Sequence, residues 1–265
     1  MMCRVYGVSR DGYYSWKRRG KCQRRYEDEW LSDEISHVYE SSGKLYGSPK
    51  VHESLKRKGI YTGQKRIARI MRENGQKARV AKVYKRDPGR KAHFTSIPNR
   101  QLQSKVDDCN QVWVGDLTYL KVGRENRYLA VVMDKHSRRV VGWSYGRKKN
   151  TELTLSAFRQ AVRNRDISEG LVFHSDRGAE YAAFTYQEKL VKYGVIQSMN
   201  RPGKMNDNAV MESFFHSLKA ERIHDQVFRS DSDLRGAISG YVHFYNQSRL
   251  HSSLGYMSPV EFEVN

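Results

Sequence analysis

The sequence predicts a mixed α/β sheet flanked by helices, preceded by a small helical unit of helix-turn-helix character. Three observations carry this expectation. Between residues 111 and 198, short runs rich in Val, Tyr and Trp alternate with helical periods. Between 31 and 76, three short helical patterns are separated by glycines. The charge is also divided: residues 1–106 hold 26 Lys+Arg against 10 Asp+Glu, whereas 107–265 hold 22 against 19. A chain of 265 residues can bury one core of ordinary size and a smaller module besides.

The first thirty residues, with "YSWKRRGKCQRR" among them, are basic and aromatic without a long apolar period, which suits an arm with a short helix from Ser9. In "LSDEISHVYESSG", Ser32 precedes an acidic turn, with Ile35 and Val38 on one face. "YGSPKVHESLKRKG" offers Ser48 as cap, Pro49 in the first turn, and Val51 and Leu55 four apart. "TGQKRIARIMRENG" caps at Thr62 and buries Ile67, Ile70 and Met71, presenting Lys65, Arg66, Arg69 and Arg72 outward. These four cations are the expected DNA contacts of the unit, the alternative being a small bundle that only packs on its neighbour. Residues 77–106 have no period and contain Pro88, Gly89 and Pro98, as a basic linker would.

The α/β block then reads as three strands, "QVWVGDLTYL", "RYLAVVMD" and "RRVVGWSYG", followed by a helix over Glu152 to Asn164. The strand "LVFHS", a helix from Phe184 to Lys192, the strand "VIQSM" and a helix from about Asp207 to Glu221 complete it. The domains expected are an arm over 1–30, the helical unit over 31–76, the linker over 77–106, the core over 107–225, and a C-terminal helix and tail over 226–265.

The net charge of +19, concentrated in the N-terminal part, points to a polyanionic partner, and nucleic acid fits best. Cys3, Cys22 and Cys109 lie too far apart to suggest a disulfide framework or a zinc site. Free thiols suit a reducing cytoplasm, and no apolar run approaches the roughly 18 residues of a membrane span. The expectation is a cytoplasmic protein with no membrane partner.

Three acids stand where chemistry is placed in such sheets. Asp116 follows the apolar "WVG" of the first strand, Asp176 follows the fourth, and Glu212 lies on the last helix of the block. On that helix Met211, Phe214, Phe215 and Leu218 form an inward stripe, while Glu212, His216 and Lys219 share another face. Converging carboxylates repel unless a cation joins them. Oxygen-only ligands suit magnesium or manganese, two of which can clamp the attacking and leaving oxygens of a phosphoryl transfer. Asp134 is a further acid near the same edge but is left out of the set; His174 and Asn208 are candidates for support of the acids or for DNA contact, and His174 also reads as a structural residue. "YNQSRLHSSLGY" places Tyr245, Asn246, Arg249 and His251 in a polar loop that either touches DNA or ties the tail to the core.

The blocks "WVGDLTYL", "YLAVVMDKHSRRVVGW", "FHSDRGAEY", "PGKMNDNAVMESFFHSLKAE" and "YNQSRLHSSLGYMSP" resemble the catalytic core of the DDE transposase and retroviral integrase superfamily. The resemblance narrows to the insertion-sequence-three family of bacterial transposases, whose second reading frame "YGVSRDGYYSW" and "YGSPKVHESLKRKGI" also resemble. It implies a ribonuclease-H-like core in which Asp116, Asp176 and Glu212 are catalytic and hold two Mg2+ ions, with Mn2+ able to substitute. It also implies that Lys219 contacts DNA at the element's end, and that the protein cleaves DNA at inverted repeats and transfers the strands. Further implications are a homo-oligomer when active, work at the bacterial nucleoid, and a tie to the upstream reading frame, as a separate protein or a frameshift fusion. Two other readings stay open: a non-catalytic DNA-binding regulator of transposition, and a ribonuclease H or resolvase-type nuclease.

Overall fold

A computed structural model describes residues 6–18, 22–78, 97–102, 104–202, 205–224 and 226–265. Most of the linker expected over 77–106 lies outside them. The chain forms two compact units, Met1–Arg79 and Val80–Asn265.

In the first unit, α1 (Arg10–Arg18) follows Ser9, whose hydroxyl accepts from the Gly12 amide at 3.0 Å. Helix α2 (Gln23–Ser41) begins nine residues before the start expected at Ser32. Its first turns, "QRRYEDEW", lack an apolar period, and Asp28 within them accepts from Arg66 at 2.7 Å and Arg69 at 2.6 Å. Long-range ion pairs, which local patterning does not show, accompany that extension. Ser32 is therefore a mid-helix residue, and its hydroxyl accepts from Asn74 at 2.7 Å. Helices α3 (Ser48–Arg57) and α4 (Gln64–Glu73) start after Gly47 and Gly63, so Ser48 and Thr62 each stand one position from the cap expected of them. Ile35, Val38, Val51, Leu55, Ile67, Ile70 and Met71 close the core of this unit.

The second unit is built on five strands: β1 (Val112–Val122), β2 (Glu125–Asp134), β3 (Val140–Gly146), β4 (Val172–Ser175) and β5 (Ile196–Met199). Their order is β3-β2-β1-β4-β5. The first three form an antiparallel meander, and β4 and β5 add in parallel. Helices α5 (Thr151–Asn164), α6 (Ala179–Ala182) and α7 (Phe184–Lys192) provide the crossovers. Strand alternation divides the core. Trp113, Phe173, Phe158 and Tyr186 pack on one face, whereas Val112, Val114 and Val172 pack on the other with α8 (Ala209–Leu218) and α9 (Asp231–Gln247).

The C-terminal segment belongs to this second core. Tyr241 and Tyr245 of α9 are buried, and the Asn246 amide satisfies both the N–H and the C=O of Val140 on edge strand β3 at 2.9 Å each. Arg249 pairs with Glu221 at 2.6 Å, and His251 stacks edge-on against Tyr245. Of the two roles open for "YNQSRLHSSLGY", the structure shows the tie to the core. The short α10 (Pro259–Val264) is closed by a capping box between Ser258 and Glu261.

Candidate active site

The register of the sheet brings the first two acids together. Gly115 is level with Ser175 across the parallel β1/β4 pair, so the next residues are Asp116, still on β1, and Asp176, just past the end of β4. Asp116 shares parity with Val112 and Val114 and therefore faces the α8 side. Residue 115 has to be glycine, because a Cβ there would stand 2.5 Å from the Phe173 ring.

Asp116 accepts from the Leu117 amide at 2.7 Å, and Asp176 from the Gly178 amide at 3.1 Å. Burial, then the charge of Asp176, and more weakly that of Glu212, push the Asp116 carboxyl well above the usual carboxylate range. Burial pushes Asp176 up as well, against the Gly178 hydrogen bond and the charge of Lys149.

Glu212 is delivered by a staple. A 3-10 turn, Met205–Asn208, leads into α8, and Asn208 donates from Nδ2 to the Gly115 carbonyl at 3.2 Å. Glu212 follows one turn later on the half-buried side of α8, opposite the Met211, Phe214, Phe215 and Leu218 stripe. Asp207 in the same turn is held by Arg201 at 2.9 Å and Asn99 at 2.8 Å. Arg201 holds its carboxyl far below the ordinary range. Beyond α8 the chain widens into a π-helical turn, Lys219–Ile223. Lys219 lies there with its Nζ 5.1 Å from the centre of the exposed Tyr119 ring, and burial lowers its pKa while Asp116 opposes that shift.

The structure places two further residues. His174 is fully buried, so it touches no DNA: its ring nitrogens meet Ser198 at 2.8 Å, Asn200 at 2.7 Å and Gln101 at 2.8 Å. Burial lowers its pKa to about 4, and its contact with the acids is indirect, because Gln101 also donates to the Asp207 carbonyl beneath α8. Asp134 is at the other end of the sheet, opposite Trp113, where its carboxylate accepts from the amides of Asn110, His136 and Ser137. It closes a turn.

In the first unit, Lys65 and Arg72 are exposed as expected, but Arg66 and Arg69 turn back onto acids. Arg66 meets Asp28 and Glu27, and Arg69 meets Asp28 and Glu73.

The donors suit a divalent cation. Asp116 and Asp176 repel each other, the oxygens are carboxylate only, and a 2+ charge relieves the repulsion. Among the described residues no three acid, imidazole or thiol groups form a ready-made cage. An open arrangement suits an ion whose remaining ligands are waters and phosphate oxygens.

Sequence reasoning missed two residues near these acids. Glu180 and Lys149 form an ion pair beside Asp176, and nothing in "DRGAEY" or "GRKKN" distinguishes them from surface charges.

The integrase core domain family matches residues 107–205, a second integrase core domain family matches 193–259, and an HTH-like domain matches 25–84. The class is thus that of the DDE transposases and integrases, polynucleotidyl transferases that cut and join DNA. An uncharacterized 31 kDa protein of insertion element IS600 from Shigella sonnei is 34% identical over 98% of this chain and 97% of its own length. The transposase InsF of insertion sequence IS3A from Escherichia coli is also 34% identical, over 99% of this chain and 92% of its own. A chain of the simian T-cell lymphotropic virus intasome shares the fold at a TM-score of 0.52 and 14% identity, covering 87% of this chain and 74% of that one. The chain belongs to the IS3 family of bacterial transposases. Among its described residues no helix is long and apolar enough to cross a membrane.

Proposed function

We propose that Asp116, Asp176 and Glu212 are the catalytic carboxylates and hold two divalent ions, magnesium in the first place and manganese as a substitute. The observation that carries this reading is the stapled geometry: one acid on β1, a second directly after the end of the adjoining parallel β4, and the helix of the third pinned by Asn208 to the carbonyl before Asp116. When bound, the ions neutralise the carboxylates and supply Lewis-acid polarisation of the phosphate together with an activated nucleophile.

The chain's own residues do the rest. Asn208 keeps Glu212 over β1, and the Gly178 amide fixes one Asp176 oxygen, so the carboxylates are preorganised. Lys219, steadied on the Tyr119 face, binds a phosphate at the element's end. Cleavage frees a 3′-hydroxyl, which then attacks a second phosphodiester, so no covalent protein intermediate is required. In the first unit Lys65 and Arg72 meet the DNA backbone at the inverted repeats. Arg66 and Arg69 join them only by exchanging Asp28 for phosphate. The active form is a homo-oligomer working at the nucleoid in the cytoplasm, alone or with the upstream reading-frame protein as a fusion.

The test is a strand-cleavage and strand-transfer assay on the element's own ends in magnesium, comparing wild type with Glu212→Gln, with and without the upstream frame fused. Products that require both Glu212 and magnesium support the assignment. Products formed by Glu212→Gln at the wild-type rate refute it.

A further inference from the structure

The "GRKKN" loop between β3 and α5 carries Lys149 to the rim of the acid cluster. Lys149 Nζ stands 3.4 Å from Glu180 Oε1 on α6. The carboxylates of Glu180 and Asp176 front one gap: a Cβ built on Gly178 would meet Glu180 Oε2 at 2.8 Å and Asp176 Oδ1 at 3.0 Å. Lys149 thus faces a patch already crowded with negative charge, and its field opposes the burial that pushes up Asp116 and Asp176.

The two partners are unequally placed. The Glu180 side chain is 12% exposed, whereas that of Lys149 is 49% exposed. A separation of 3.4 Å exceeds the roughly 2.7–2.9 Å of a well-made charge-assisted hydrogen bond. A pair open to water on one side contributes only about 0–1 kcal/mol. Such an ammonium can change partner at little cost, and it stands close enough to Asp116 and Asp176 for its charge to act on both.

We propose that Lys149 is a positioning residue for the DNA strand, its ammonium exchanging Glu180 for a phosphate oxygen of the strand entering the acid cluster. Glu180 is the resting partner that keeps the cation at the rim before DNA arrives. The exchange is ionic, and no covalent bond forms or breaks. It rests on the reading of the acids as the strand-cleavage site.

The experiment is fluorescence anisotropy of a labelled duplex ending in the element's terminal inverted repeat. It is run in calcium over a salt series with full-length wild type, Lys149→Ala, Lys149→Arg and Glu180→Gln. Lys149→Ala is expected to lose affinity several-fold and to flatten the log–log salt slope by about one unit, with Lys149→Arg restoring both. Glu180→Gln is expected to bind more tightly than wild type, because the ammonium has lost its competitor. A pair that serves only the fold gives Lys149→Ala and Glu180→Gln the same sign, lowers both melting temperatures and leaves the slope unchanged, and that result overturns the proposal. Cleavage by Glu212→Gln in magnesium would instead refute the site reading, independently of the Lys149 slope.

Discussion

Neutralising one acid of the β1/β4 pair should stabilise the metal-free protein while abolishing its chemistry. Asp116 lies on β1 and Asp176 directly follows the end of the adjoining β4, where strands stand about 5 Å apart. Two like charges at that distance in an effective dielectric near 20 repel by about 3 kcal/mol. Both residues are half-buried rather than sealed, so solvent screening reduces this to about 2 kcal/mol. Asp176→Asn should therefore raise the melting temperature in EDTA by about 4–8 °C for a unit of this size. The pH dependence gives a second reading. The Asp116 carboxyl is raised in the folded state, so its contribution to stability is complete below the unfolded value, about pH 4, and is lost as pH climbs through the folded one. The gain from Asp176→Asn should accordingly rise through about pH 8, be largest above it and fade toward pH 5, where protonation already relieves the pair. Melting curves of wild type and variant across pH, with EDTA and with magnesium, measure both effects. Magnesium should stabilise wild type and leave the variant nearly unmoved. A variant that melts lower than wild type in EDTA, or that keeps the wild-type pH profile, would refute the argument from repulsion.

Asn208→Ala removes one neutral hydrogen bond, about 1 kcal/mol, but loosens the staple beneath Glu212; cleavage should fall at least about tenfold with the melting temperature little changed. Equal rates for variant and wild type would show that α8 needs no staple. Arg249→Ala leaves the nearly buried Glu221 carboxylate without its guanidinium and should destabilise the second unit by about 3 kcal/mol in urea titration; a loss under about 1 kcal/mol would contradict the anchoring role. Lys65→Ala and Arg72→Ala should each weaken duplex binding with no loss of thermal stability, whereas Arg66→Ala should lower the stability of the first unit, a contrast that anisotropy and melting curves together resolve.

Much of the second unit was legible in the sequence because its signals are local. The strand runs around Trp113, Val131 and Phe173 are β-branched and aromatic, the Met211 to Leu218 stripe repeats at helical spacing, and Asp116, Asp176 and Glu212 stand within blocks that resemble one superfamily. The helical unit was legible for the same reason, apart from the first turns of α2, where the partners of Asp28 lie 38 and 41 residues away. What only the tertiary structure decided depends on register and on long-range contact. Register set Asp134 level with Trp113, because antiparallel β2 carries it back toward the start of β1. Packing placed Tyr245 in the core and set Asn246 against an edge strand 106 residues earlier. It turned Arg66 and Arg69 inward and brought Lys149 to Glu180 beside Asp176. A periodic apolar face is encoded by neighbours along the chain, but the partner of a charge is chosen by whatever the fold brings within a few Å. Composition, strands and the three acids therefore belong to the sequence, whereas the staple, the buried histidine and the lysine at the rim belong to the folded chain.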